Sequence, residues 1–386
     1  MPSVQRVGLC AIATLMAASA SAAADKVATV SLKASDGTLL KGSYYAAAQP
    51  GPGLLLLHQC NRDRSAWAAF ATDAAARGYH VFALDYRGYG ESEGRRFENY
   101  QEQGPVIQEK WPGDVDAAFA FLTSQPGVDK ARIGAAGASC GVNQAVQLAR
   151  RHPEVRTVVL LSGGIQPDAR EYVRRTTAMP VLTAASLDDG NIVQTMRWIS
   201  DLSPHAASRY VEYKAAGHGT DMFKVEAGLQ PMMLDWFDKH LKQAQATTQA
   251  AAPPAPRTAT DEFWAALAKP GGAAKAREIY DAAKKKDKTA VLFPEGELNQ
   301  YGYQLMQEGR NKDAVILLQM NVDEYPQSAN VYDSLSDAYL ADGNKVEALR
   351  FAEKALQVLA TDTQTPEEFK NQIRESAEGK IKQLKK

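Results

Sequence analysis

Short apolar runs alternate with amphipathic stretches from residue 27 to residue 243 of this chain. Two amphipathic strand patterns, 27–33 and 39–45, come first, with Asp36-Gly37 as the turn between them. The apolar runs that follow are 53–58, 80–85, 131–136, 157–161, 180–185 and 209–214, and helical patterns occur at 65–77, 114–122, 142–150 and 221–241. Runs this apolar are typical of strands buried on both faces of a parallel sheet, and their alternation with helices predicts an α/β fold with a doubly wound, mostly parallel sheet.

The first residues show the pattern of a cleaved signal peptide. Arg6 precedes an apolar core from residue 7 to residue 20, and small residues follow as far as Ala24. We therefore expect residues 1–24 to be removed on export, and the protein to be periplasmic or secreted. The sheet domain then covers residues 25–243, and an Ala-, Thr- and Pro-rich linker covers 244–259.

Residues 260–386 predict a separate domain that is entirely helical. A weak repeat appears there at an offset of 34 residues, which pairs Gly309 with Gly343, Ala314 with Ala348, Leu305 with Tyr339 and Gly302 with Ser336. This period, with small residues where two helices cross, resembles tetratricopeptide repeats. The resemblance implies helix pairs that bury their apolar faces against their neighbours and offer a groove to a protein partner. A stabilising or dimerising appendage without a ligand is the alternative.

The segment Gly137-Ala138-Ser139-Cys140-Gly141 stands between a predicted strand and a predicted helix. Strand, G-x-S-x-G and helix together form the pattern of a nucleophile elbow, in which small residues allow a sharp, strained turn at the serine. The following helix would then direct its free N–H groups at the reacting carbonyl. Cys140 is the competing nucleophile, but the β-branched Val142 lies two residues after it and fits an elbow poorly, so Ser139 is favoured.

An acid and a histidine follow at the ends of later predicted strands. Asp188 and Asp189 come just after the run 180–185, and His218 comes just after 209–214. The two aspartates could instead cap a helix, and the histidine could be a surface loop residue. The order serine, aspartate, histidine at strand ends nevertheless predicts a catalytic triad.

Composition limits the other classes of function. The 386 residues carry a formal net charge of −1, so no basic excess points to nucleic acid. No apolar run is long enough to span a membrane. The six histidines show no metal-ligand spacing, and we expect neither a metal nor a cofactor.

With these motifs in place, residues 27–243 resemble the α/β-hydrolase superfamily, and within it the cap-less, dienelactone-hydrolase-like serine hydrolases. The residues that carry the resemblance are 57–60, 85–92, 137–141, 186–189 and 217–219. The resemblance implies that Ser139 is the nucleophile, that His218 is the general base, and that Asp189, rather than Asp188, is the acid. It also implies an oxyanion hole made by the backbone N–H groups of Cys140 and Cys60. The sequence departs from the family in His58-Gln59, where His-Gly is usual, in Val142, and in a serine nucleophile where true dienelactone hydrolases use cysteine.

Cys60 and Cys140 are the only cysteines after the expected cleavage, and both fall on the implied oxyanion hole. We therefore hypothesise a disulfide between them, with two buried thiols as the alternative. The segment 163–180 is too short for a cap, so we expect a fairly open site, with 91–112 as one wall. Arg95 and Arg96 are weak candidates for binding an acidic group.

These observations predict an exported serine hydrolase that cleaves a small-molecule ester or a related acyl bond through an acyl-enzyme. The alternative from another class is a scaffold in which the repeats bind a protein and the hydrolase fold is slow or silent. A serine peptidase is a lesser alternative.

Overall fold

One eight-stranded sheet forms the body of the first domain in a computed structural model of the chain. The structure describes residues 27–96, 100–190, 192–243, 258–267, 269–362 and 367–385. The strands are β1 (Val27–Lys33), β2 (Leu39–Tyr45), β3 (Gly51–Leu57), β4 (His80–Asp85), β5 (Val128–Ala138), β6 (Val155–Leu161), β7 (Val181–Ser186) and β8 (Arg209–Tyr213). Their order is β1-β2-β4-β3-β5-β6-β7-β8; β2 is antiparallel to both neighbours and all other pairs are parallel. The predicted α/β fold is confirmed, whereas the expected signal peptide and most of the expected linker lie outside the described residues.

The central strand β3 shows why the apolar runs are continuous. Leu54 and Leu56 belong to the apolar cluster on one face of the sheet, and Leu55 and Leu57 belong to the cluster on the other face. Successive side chains of a strand point to opposite faces, so a strand covered on both faces must be apolar at every position.

Helices cover both faces of the sheet. They are α1 (Ala68–Ala76), α2 (Tyr100–Glu109), α3 (Trp111–Ser124), α4 (Cys140–Arg151), α5 (Pro167–Arg175), α6 (Ile192–Leu202) and α7 (Leu229–Phe237). The single helix expected over 221–241 is wrong: a 3-10 turn covers Gly219–Lys224, and α7 begins only after Gly228. Pro231 lies in the first turn of α7, where its missing N–H costs no hydrogen bond, so the helix begins there. The sequence patterns did not predict α2, α5 or α6.

The C-terminal region is helical, as expected. Its helices are α8 (Ala259–Leu267), α9 (Ala273–Lys286), α10 (Glu295–Gln307), α11 (Asn311–Glu324), α12 (Ala329–Ala341), α13 (Lys345–Leu359) and α14 (Glu367–Leu384). Helices α10 and α12 begin 34 residues apart, and so do α11 and α13. Gly302 is small because a Cβ there would lie 2.7 Å from the Leu318 side chain, which packs against it. These helices build an apolar cluster of their own.

The helices of the described segments were also compared with the length and hydropathy that a membrane span requires. None of them meets both requirements.

Candidate active site

A sharp turn between β5 and α4 carries Ser139. The residue has φ 50° and ψ −115°, and residues other than glycine rarely adopt a positive φ. The two flanking glycines are required here: a Cβ at Gly137 would overlap the carbonyl of Gly141, and a Cβ at Gly141 would overlap the carbonyl of Leu57. The G-x-S-x-G segment therefore forms the strained strand-to-helix turn that its spacing predicts.

Asp189 and His218 come from the loops that follow β7 and β8, and the structure brings them together. The His218 Nδ1 atom lies 2.9 Å from Oδ1 and 2.8 Å from Oδ2 of Asp189, and its N–H donates to this carboxylate. With its proton held on Nδ1, the imidazole keeps Nε2 as the nitrogen that can accept a proton. The His218 side chain is 37% exposed, so solvent reaches the ring.

Asp188 makes a different contact from its neighbour. Its carboxylate accepts a hydrogen bond from the backbone N–H of Gly217, at 3.2 Å and 3.3 Å to the two oxygens. Burial acts to raise the pKa of Asp188, but hydrogen bonds from Ser186 and the Gly217 N–H outweigh it and hold this pKa below its ordinary value. Asp189 therefore contacts the imidazole, while Asp188 bonds the backbone of the loop that carries His218.

Ser139 and His218 line the same cavity, which has a volume of about 240 Å³. Within the described part of the chain the Ser139 hydroxyl makes no hydrogen bond, so a direct bond from serine to histidine is not formed in this structure. Such catalytic hydrogen bonds are often long in free enzymes and tighten when substrate binds.

A disulfide joins Cys60 to Cys140, with their Cα atoms 5.7 Å apart. It links the loop after β3 to the first residue of α4, which are the two segments expected to supply the oxyanion hole. The buried His58 accepts a hydrogen bond at Nε2 from the Tyr86 N–H (3.3 Å), and its Nδ1 bonds the carbonyl of Gln59 (2.8 Å). Burial lowers the pKa of His58, which keeps the ring neutral. Because the carbonyl and the N–H of a trans peptide point in opposite directions, this bond also sets the direction of the Cys60 N–H.

Gln59 is a further site residue whose role the sequence did not predict. Its buried side-chain Oε1 accepts from the Thr220 N–H (2.7 Å) and from the Thr220 hydroxyl (2.8 Å). Its Nε2 donates to Asn61 Oδ1 at 2.8 Å. Gly219 has to be glycine because a Cβ there would overlap Gln59 Oε1. Gln59 stands where the family usually has glycine, and its side chain connects the disulfide-bearing loop to the loop that carries His218.

The expectation of a fairly open site is wrong in one respect. No cap is inserted between β6 and β7, but α10 of the C-terminal domain lines the cavity with Glu297, Gln300, Tyr301, Gln304 and Gln307. The short segment 163–180 excludes a cap, but it carries no signal for a wall supplied by residues far along the chain. Helix α2, within the segment expected to form a wall, also lines the cavity with Gly104, Ile107 and Gln108.

Arg95 and Arg96 are not among the residues that line the cavity. The Arg96 guanidinium instead lies 5.7 Å from the centre of the Tyr89 ring. Among the described residues, no group of three or more His, Cys, Asp and Glu side chains is arranged to hold a metal ion.

The sequence matches the family model Hydrolase_4, described as serine aminopeptidase, S33, over residues 49–297. A thiohydrolase, aneE, of Aspergillus aculeatus is 33% identical over 137 residues, which are 35% of this chain and 41% of that protein. An uncharacterised protein of Mycobacterium tuberculosis is 35% identical over 132 residues, or 34% of this chain and 43% of that protein. The chain thus spans about two fifths of the length of the curated relatives it matches.

Two solved structures resemble part of this chain, with TM-scores below 0.5. The DcsB complex with its substrate analogue has 15% sequence identity and a TM-score of 0.49, covering 56% of this chain and 100% of that chain. The Pyrococcus furiosus esterase Pf2001 has 17% identity and a TM-score of 0.45, covering 56% and 92%. Since the family model matches more than half of the sequence, the chain belongs to the Hydrolase_4 family of hydrolases.

Proposed function

We propose that this member of the hydrolase family is a serine hydrolase that cleaves an ester or a related acyl bond through an acyl-enzyme. The observation that supports this most strongly is the cavity that holds Ser139 on its strained turn together with His218, whose Nδ1 bonds Asp189. In this proposal Ser139 is the nucleophile, His218 is the general base, and Asp189 is the acid that orients it.

In the proposed first half-reaction, His218 Nε2 takes the proton of the Ser139 hydroxyl while the oxygen attacks the substrate carbonyl. The N–H groups of Cys140 and Cys60 stabilise the negative charge that develops on the carbonyl oxygen. The imidazolium then gives its proton to the leaving alcohol or thiol, and an acyl ester remains on Ser139. In the second half-reaction, His218 deprotonates a water molecule, the resulting hydroxide displaces the serine, and the proton returns to Ser139.

The names of the relatives widen the range of bonds to test. One relative is called a thiohydrolase, and the family description names serine aminopeptidases. A thioester and an amino-terminal peptide bond are both acyl bonds that the same attack can break, with a thiol or an amine as the leaving group. We therefore include a thioester and an aminoacyl amide among the substrates, with the ester as the leading candidate and the peptidase as the lesser one.

Labelling by a fluorophosphonate probe, together with hydrolysis of p-nitrophenyl esters of increasing chain length, tests the proposal. We expect wild type to be labelled and active, and Ser139→Ala to lose both properties. Ser162→Ala is the matched control, because Ser162 lines the same cavity and also has φ 50°. If Ser139→Ala still carries the label, another residue is the nucleophile and the proposal fails. If wild type is neither labelled nor active, the proposal also fails, and a scaffold whose repeats bind a protein becomes the better hypothesis.

The proposed location is the periplasm or the exterior of the cell. Disulfides such as Cys60–Cys140 persist in oxidising compartments, which supports export by the expected signal peptide. Mass spectrometry of the protein recovered from cell fractions would test this: a chain that begins near residue 25 in an exported fraction is expected, whereas an intact chain in the cytoplasm would contradict it.

A further inference from the structure

The C-terminal domain is attached to the first domain through a buried arginine. Arg170 on α5 is only 5% exposed, and its guanidinium lies 3.9 Å from the ring centre of Trp264 and 4.9 Å from that of Trp198. It pairs with Glu297 of α10. Burial lowers the pKa of Arg170 to about 9, which is still above neutral pH, so the guanidinium keeps its charge. A charge buried between two rings and a carboxylate holds α10 in a defined place.

Helix α10 lines the cavity from its first turn to its last and approaches the first domain at both ends. Near its first turn, a Cβ at Gly164 would lie 2.8 Å from Glu297 Oε1 and 3.3 Å from Gln300 Oε1. At its last turn, a Cβ at Gly104 of α2 would lie 3.4 Å from Gln307 Oε1. Both ends of the helix therefore approach glycines of the first domain, and at Gly164 the absence of a side chain leaves room for the carboxylate of Glu297.

The two faces of α10 make different contacts. Leu298, Gly302 and Leu305 are buried among the C-terminal helices. The spacing of Gln300, Gln304 and Gln307 corresponds to one face of a helix, and this face lines the cavity that contains Ser139.

The rest of the lining combines amide groups with apolar side chains, which are Ile107, Ile165, Pro167 and Ile192. Gln108, Asn143 and Gln166 add amide groups from the first domain. Arg170 and Glu297 form an ion pair, and apart from these two residues and His218 the polar side chains of the lining are uncharged donors and acceptors of hydrogen bonds.

We propose that α10 is the specificity wall of the active site, and that it selects esters whose short acyl group is uncharged and carries its own hydrogen-bonding groups, such as an amide, over alkyl esters of the same size. This rests on the proposed function. A site built to bond polar groups of a substrate discriminates strongly against an analogue that lacks them, because the amides of the site then lose their partners. The C-terminal domain thus serves the reaction itself, whether or not its repeats also bind a protein.

The experiment compares two p-nitrophenyl esters with acyl groups of similar shape, N-acetylglycinate and 4-methylpentanoate. The kcat/KM of each ester is divided by its uncatalysed rate of hydrolysis, and the ratio of the two values measures the preference for the polar acyl group. The variants are Gln304→Leu and Gln307→Leu. The Gln304 side chain is half-buried and the Gln307 side chain is exposed. Gln357→Leu on α13 is the matched control, because Gln357 is an exposed helical glutamine with a local partner, Lys354 (3.0 Å), just as Gln304 has Glu308 (2.9 Å).

We expect wild type to prefer the polar ester, and at least one α10 variant to reduce that preference about tenfold, the equivalent of one hydrogen bond. The control should keep the wild-type ratio. A wild-type preference for the alkyl ester, or an unchanged ratio in both α10 variants, would overturn the inference while Ser139-dependent hydrolysis upheld the proposed function. Labelling of Ser139 without hydrolysis of either ester would also overturn it. If neither labelling nor hydrolysis depends on Ser139, the proposed function fails and this inference fails with it.

Discussion

Replacing Gln59 by methionine tests whether the bridge between the two active-site loops holds His218 in place. Methionine has a similar length and volume but cannot accept the hydrogen bonds that Thr220 donates at 2.7 Å and 2.8 Å. Gln59 is fully buried and Thr220 is only 4% exposed, so water cannot readily replace the lost acceptor. The Thr220 hydroxyl can rotate toward another partner, whereas the backbone N–H of Thr220 cannot.

The expected cost follows from that single backbone donor. An unsatisfied buried N–H costs about 1–3 kcal/mol, and a domain of this size loses about 2–4 °C of Tm per kcal/mol, so we expect Tm to fall by roughly 2–12 °C. Thr220 lies two residues after His218, and a displacement of about 1 Å in a catalytic group can cost on the order of 100-fold in rate. We therefore expect kcat for an ester to fall at least about tenfold, with a smaller change in KM.

The assays are thermal unfolding followed by circular dichroism and steady-state ester hydrolysis. Gln49→Met is the matched control, because Gln49 is exposed in the turn before β3. Gln59→Glu keeps two acceptor oxygens for Thr220, although it places a second carboxylate near Asp221, which lies 3.4 Å from Gln59 Nε2. We expect its kcat to fall between those of wild type and Gln59→Met. A Gln59→Met protein with the Tm and kcat of wild type would refute the argument that this bridge positions the histidine.

Three further outcomes follow from other contacts. Replacing Cys60 and Cys140 together by alanine should lower the free energy of unfolding by about 4.5 kcal/mol, since the bond closes a sequence separation of 80 residues; an unchanged midpoint in urea would contradict this. Gly164→Ala places a Cβ 2.8 Å from a carboxylate oxygen of α10 and should cost about 1–3 kcal/mol, whereas Gly228→Ala, with open space around it, should cost little; equal Tm values would show that α10 does not pack there. Burial lowers the pKa of His240 to about 4, so its contribution to stability is complete above the ordinary histidine pKa, 6.5, and is lost as the pH falls toward 4. His240→Gln should therefore flatten the decline of Tm between pH 7 and pH 4, and parallel profiles would refute that assignment.

The sequence by itself determined the local structure around the candidate nucleophile. The glycines at 137 and 141 stand where a Cβ would collide with backbone, so the turn at Ser139 could be predicted from spacing alone. The strands were equally clear, because burial on both faces requires an apolar residue at every position. The order of the three candidate residues placed each at a strand end, where parallel strands bring loops together.

The residue pattern by itself did not separate two adjacent carboxylates: the family resemblance favoured Asp189, and the tertiary structure shows that Asp189 contacts His218. Asp188 and Asp189 are chemically identical side chains, and in the 3-10 turn after β7 Asp189 accepts from the imidazole while Asp188 accepts from a backbone N–H. The role of Gln59 was hidden for a similar reason, because its partner Thr220 lies 161 residues away.

The wall formed by α10 was the feature furthest from prediction. Its glutamines resemble an ordinary solvated helix face, and the repeat at an offset of 34 residues described only how the C-terminal helices pack on one another. Where that domain docks depends on Arg170 meeting Trp264 and Glu297 across the interface. Periodicity and spacing report contacts close in sequence, whereas a contact between two domains depends on surfaces that exist only after each has folded.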